Sequence, residues 1–290
     1  MRVLRRVLTL PVLVVLAVGA VSCGQDRPAD VVRIGVNDIA LPHWNVYQRK
    51  AAEQGITVEF VNFSDYKQPN PALAQKQVDL NKFQHLRYLA NYNVANHDTL
   101  TPIGATEIFP LTLYSKKFRT VAELPQGAEI TLSNNPAQQV RPLLALAAAG
   151  LITVKGGGQA GWDTRIEQID PAASKVKLTT IEPTLTAQSL DSVSAAFVDD
   201  TFAGPAGLTK NEVILTDDPS RPELKQYINV FAARAADKDN PTYLKLARIY
   251  HDPEVEAAIR AEKGYEGTFK TNDAADLRAT LAELEAGFRR

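Results

Sequence analysis

The chain has 290 residues, with 32 Lys plus Arg against 33 Asp plus Glu, 45% hydrophobic and 7% aromatic residues, and a single cysteine. That length suits one large or two ordinary domains, and the composition excludes a fibrous or disordered chain. A formal charge of −1 lacks the basic excess of a nucleic-acid binder, and one cysteine excludes an internal disulfide and a multi-cysteine zinc site.

The first element is an export signal. Arg2, Arg5 and Arg6 precede an uncharged run from Val7 to Val21, which is short for a bilayer span and of the right length for a signal-peptide core. A transmembrane anchor is the alternative. Ala20-Val21-Ser22-Cys23 follows, small residues leading to a cysteine, and this resembles a bacterial lipobox. It makes Cys23 the acylated first residue of a mature chain; a free or buried thiol beside an ordinary cleavage site is the other reading. Removing residues 1–22 deletes three arginines and no acid, so the charge of the mature chain shifts from −1 to −4. Residues 23–30 then form the lipidated cysteine and a short polar linker.

The mature chain opens as strand, helix, strand. Val31 to Val36 and Ile56 to Phe63 are β-rich, and between them Pro42 opens a helix whose Trp44, Tyr47 and Ala51 share a face. A βαβ unit of this kind implies a parallel sheet covered by helices. Asn70-Pro71 caps and opens a short helix to Gln77, Val78 to Phe83 is extended, Leu86 to Asn93 is helical, and Leu100 to Ala105 is a strand. After Phe109-Pro110 a second set begins: strands at Leu111 to Ser115 and Glu129 to Leu132, then a helix from Pro142 to Ala149 closed by Gly150. Strands at Lys177 to Ile181, Ala195 to Val198 and Ile228 to Ala233 follow, with a polar helix near Thr184 to Ser189. Asn240-Pro241 and Asp252-Pro253 open two of the C-terminal helices, and Leu277, Leu281, Leu284 and Phe288 stripe the last. The helices of this final segment have no strands of their own. The expected architecture is two α/β lobes sharing a cleft, where small molecules bind.

Three groups of residues stand out. Phe83 and His85 lie two apart on a strand, with Tyr88 on the first turn of the next helix and Tyr66 upstream, so rings converge at a strand's C-terminal end. An ordinary core is the competing reading. Arg141 immediately precedes Pro142, which predicts a guanidinium at a helix N-terminus and hence an anion site; a surface arginine paired with an acid is the alternative. Asp199 and Asp200 end a strand, as candidates for an ammonium group or Ca²⁺, although no calcium-loop pattern is present, and Asn229 lies on another strand; a capping role is the alternative for Asp199. HExxH, GxSxG and GxxxxGK[ST] are absent, and the four histidines show no metal-ligand spacing, so no cofactor or metal is expected.

These residues resemble the methionine-binding lipoprotein family of the MetQ/NlpA type, the substrate-capture component of an ABC importer. The resemblance rests on Phe63-Ser64-Asp65-Tyr66, Gln68 through Leu73, Asp79 through Leu86 with Tyr88-Leu89, Tyr114 through Lys117, Leu124 through Ala128, and Arg141 through Ile152. It runs from about Val32 to Gly267. It implies a type II periplasmic-binding-protein fold of two lobes, residues 31–108 plus 236–290 and residues 109–235, closing on an amino acid. It also implies that Tyr66, Phe83, His85 and Tyr88 surround a methionine side chain, that Arg141 pairs with the ligand carboxylate, and that Asn229 hydrogen-bonds the ligand backbone. The expected product is a monomer anchored to the membrane's extracytoplasmic face that serves a permease and its ATPase. Two stretches depart from the family pattern. Asp199-Asp200-Thr201-Phe202-Ala203 stands where Asn-Gly-Asn-Tyr-Ala is usual, and Ser133 through Gln138 replaces Pro-Asn-Asp-Pro-Thr-Asn. Asp199 strengthens an ammonium contact but repels a carboxylate or competes for Arg141, which leaves another amino acid or a short peptide as alternative cargo. The rival readings are an exported enzyme with His85 and Asp199 as acid and base, and a surface interaction protein without a transport role.

Overall fold

A computed structural model describes residues 31–262 and 266–289; the export signal, Cys23 and its linker lie outside them. The chain order is β1 (Val31–Val36), α1 (His43–Glu53), β2 (Thr57–Asn62), α2 (Pro69–Ala74), β3 (Leu80–His85), α3 (Leu86–Asn96), β4 (Thr101–Ala105), β5 (Glu107–Ile108) and β6 (Thr112–Tyr114). There follow β7 (Ala128–Ser133), α4 (Pro136–Ala148), β8 (Val176–Ile181), α5 (Thr186–Ser189), β9 (Ala195–Phe197), α6 (Asp200–Ala203), β10 (Val213–Thr216) and β11 (Asn229–Ala233). The C-terminal part holds α7 (Pro241–Ile249), α8 (Pro253–Arg260), β12 (Thr268–Phe269) and α9 (Ala274–Phe288).

The first βαβ unit forms where its pattern predicts. Trp44, Tyr47 and Ala51 are buried on one face of α1, Gly55 takes the left-handed conformation (φ +74°) that ends it, and β1 and β2 pair in parallel. Strand order in the first sheet is β2-β1-β3-β11-β4, with β11 antiparallel to both neighbours. One face of this sheet packs on α1, α7 and α8 through Trp44, Tyr47, Phe231 and Tyr250. The other packs on α2, α3 and α9 through Leu73, Leu89, Val230 and Leu277. Gly104 on β4 admits the close approach of α7, since a Cβ there would lie 2.8 Å from that of Ala247. The second sheet, β10-β6-β9-β7-β8, has its own core of Leu113, Ile130, Leu132, Leu143 and Leu146.

Four expectations change. β11 belongs to the first sheet, so the segment 109–235 is not a single structural unit; the chain returns to the first sheet at Asn229. The C-terminal segment contains a short strand, β12, paired with β5. Helix α2 begins at Pro69, and Asn70 is buried within it, its side chain bonded to Gln84 and Asn81 rather than capping. Helix α4 starts at Pro136 instead of Pro142, because Asn135 supplies the cap, accepting a hydrogen bond from the backbone N–H of Ala137 at 2.9 Å. Arg141 is therefore mid-helix, and the free N–H groups expected around it are those of a turn farther upstream.

Candidate functional site

The strands of both sheets end at one cavity of about 950 Å³, and Tyr66, Phe83, His85, Tyr88, Arg141, Asp199 and Asn229 all line it. Four rings form its apolar end. Tyr88 is the hub: its ring centroid is 5.8 Å from Phe83, 6.2 Å from Tyr66 and 6.3 Å from His85, and its hydroxyl donates to the Tyr66 carbonyl at 2.9 Å. Two local devices aim these rings. A register shift between β3 and β11 leaves Phe83 without a partner on β11, a bulge, and Phe83 and His85 alternate with the buried Gln84 between them. His85 is the N-cap of α3, its Nδ1 accepting from the Tyr88 N–H at 3.0 Å, so the neutral ring carries its proton on Nε2. Burial, with Arg141 and Arg87 adding repulsion, lowers the His85 pKa to about 3.

Arg141 is more committed than expected. Its Nε donates to Asp217 Oδ2 at 2.7 Å, and its Nη2 to Asp217 Oδ1 at 2.8 Å and to the Phe109 carbonyl at 3.1 Å. The guanidinium lies 4.9 Å from the centroid of the Tyr227 ring, which also packs against His85 at 4.9 Å. A bidentate fork of this kind fixes the plane of the guanidinium and leaves Nη1 with no hydrogen bond among the described residues. The competitor for Arg141 is thus Asp217, not Asp199.

Asp199 instead accepts from Gln138 Nε2 at 2.8 Å, and Gln138 in turn accepts from Ser133 Oγ at 2.8 Å. The two stretches that depart from the expected family pattern meet in this contact. Asp199 stands at the N-cap position of α6 without a side-chain capping bond, so capping is not what its carboxylate does. Burial raises its pKa, against the opposing effects of Gln138, Tyr66 and Arg141.

Sequence reasoning misses Asp217, Tyr227 and Gln138. Asp217 is remote from Arg141 along the chain, and no motif marks it. The one signal for Gln138 is its place in a hexapeptide that departs from the family pattern.

A family model described as NlpA lipoprotein matches residues 32–271. The D-methionine-binding lipoprotein MetQ of Escherichia coli K12 is 31% identical over 251 residues, which is 84% of this chain and 90% of that protein. Outer membrane lipoprotein 1 of Mannheimia haemolytica is 30% identical over 85% of this chain and 92% of its own length. Among solved structures, a nutrient-binding protein from Burkholderia cenocepacia bound to methionine aligns with a TM-score of 0.75 at 31% identity, covering 82% of this chain and 99% of that one. Protein PG110 of Staphylococcus aureus aligns with a TM-score of 0.80 at 30% identity, covering 87% and 99%.

Proposed function

From the premise that the chain belongs to the NlpA lipoprotein family, we propose that it captures methionine, in its L or D form, or a close relative, for an ABC importer. It is a solute-binding protein of two lobes and not an enzyme. The observation that carries the choice of ligand is the convergence of four rings, one arginine edge, one carboxylate and one amide on a single cavity. Tyr66, Phe83, His85 and Tyr88 offer a soft apolar enclosure to a thioether, each sulfur–ring contact contributing about 0.3–1.5 kcal/mol. Arg141 Nη1 takes the ligand carboxylate, Asp199 its ammonium, and Asn229 its remaining polar backbone atoms. Residues 31–108, β11 and 236–290 act as one lobe and the rest of 109–235 as the other, so that ligand contacts on both sides favour the closed state.

Cys23, outside the described residues, is in this reading the acylated first residue, holding a monomer on the extracytoplasmic face beside a permease and its ATPase. Asp199 favours a second reading, the same role for another amino acid or a short peptide. Calorimetric titration of the mature domain with L-methionine, D-methionine and an amino-acid panel decides between them. Heat with at least one methionine isomer, abolished by Arg141→Ala, is the expected result; silence with both isomers and a response to another compound overturns the methionine assignment.

A further inference from the structure

The cavity has a second half with a different character. It is bordered by Asp38, His43, Lys82, Glu107, Asp200 and Glu262. Lys82 lies against the rings of Trp44 and Tyr250, its Nζ 5.9 and 5.2 Å from their centroids, and 2.9 Å from Glu107 Oε1. Glu107 is fully buried and its Oε2 has no hydrogen-bond partner among the described residues. The same holds for Nε2 of His43, a side chain 2% exposed whose Nδ1 is engaged by Glu262 at 2.6 Å, and for Asn37 Nδ2. Buried polar groups are ordinarily paired, and a cluster left unpaired on a cavity wall marks where another molecule completes the bonding. The sign of the charge says which kind. Four carboxyl groups, Asp38, Glu107, Asp200 and Glu262, face Lys82 and one imidazole; burial and the neighbouring Glu107 push the Asp200 pKa up to about 7, and a cation placed beside it favours its charged form, so the excess is negative. Among the described residues no three acidic or imidazole groups converge as metal ligands, which favours an organic cation.

We infer that this half is a second subsite, taking an ammonium or guanidinium group carried by a ligand longer than one free amino acid, with Glu107 and Asp200 as its acceptors. The inference rests on the reading of the cavity as an amino-acid site. The volume agrees: about 950 Å³ is at the upper end of the ~300–1,000 Å³ usual for small-molecule sites.

The test uses a matched pair, L-methionyl-L-lysine and L-methionyl-L-norleucine, whose second side chains share the same four carbons and differ by an ammonium in place of one hydrogen on the last, with L-methionine alongside. Calorimetry on the mature domain should show the lysyl peptide binding at least about tenfold more tightly than the norleucyl one, and Asp200→Asn and Glu107→Gln should each bring that ratio close to one. Asp200 is open to the cleft, so its variant remains informative if Glu107→Gln does not fold. Equal affinities of the two peptides in the wild-type protein overturn the subsite, and so does a ratio unmoved by Asp200→Asn. Failure of methionine itself to bind, with the lysyl preference present, overturns the methionine reading and supports the subsite.

Discussion

Lys82 and Glu107 illustrate how one pair can serve both the fold and the cavity. Both side chains are almost out of solvent, at 8% and 0% exposure. Burial pulls the lysine's pKa down, but Glu107, Asp38 and Glu262 outweigh it and the net direction is up. Breaking such a pair on one side leaves an uncompensated buried charge, at a cost of about 3–5 kcal/mol, whereas replacing both partners with apolar groups is often neutral. Lys82→Met should therefore lower the urea-unfolding free energy by about that amount, and adding Glu107→Leu should recover most of it. A single variant as stable as the wild type would mean that Glu107 is not held as a buried carboxylate. The same residue scale shows what sequence reading reaches. The four rings and Arg141, Asp199 and Asn229 carry motif positions or local spacing, and all seven line the cavity. The Arg141–Asp217 and Lys82–Glu107 pairs join side chains from separate elements far apart in the chain, which local spacing does not encode.

At the scale of elements, caps explain both the successes and the misplacement of α4. Asn240-Pro241 and Asp252-Pro253 open α7 and α8 as predicted, each side chain accepting from backbone N–H groups of the first turn. Two Pro-led starts compete in α4, Asn135-Pro136 and Arg141-Pro142, and only the first has a capping side chain. Pro142 is accommodated inside the helix at the loss of the bond it would donate to the Gln138 carbonyl. The earlier start is what brings Gln138 onto a helical turn facing Asp199. Asn135→Ala should cost about 1 kcal/mol in unfolding free energy and also weaken ligand binding, because the frayed turn carries Gln138. Asn240→Ala should cost a similar amount with ligand affinity unchanged, since none of the residues of α7 lines the cavity. Denaturation and titration of the two variants separate the effects; equal affinities in both would detach the α4 cap from the site.

The whole molecule is governed by how two separately cored sheets meet. Strand and helix alternation announces two α/β sets, but only pairing reveals that β11 returns to the first sheet, because its neighbours β3 and β4 lie in the first half of the chain, before the whole of the second sheet. Two exposed ion pairs span the cleft, Lys67 to Glu182 at 2.7 Å and Lys210 to Glu266 at 2.9 Å. With lysine exposures of 68% and 84%, both pairs are well solvated and contribute little, and salt screens them over roughly 10 Å at 0.1 M. Under the proposed capture and closure, the closed state without ligand is accordingly weakly held, and ligand contacts made by both sheets decide it. Replacing Lys67 and Lys210 together with alanine should weaken methionine binding by at most about fivefold near 10 mM salt, and by less than about twofold near 500 mM. Titration at the two salt concentrations checks this. A loss of equal size in both would show that the lysines act through packing rather than charge, and a loss far beyond fivefold would place the closing energy in the rim instead of the cavity.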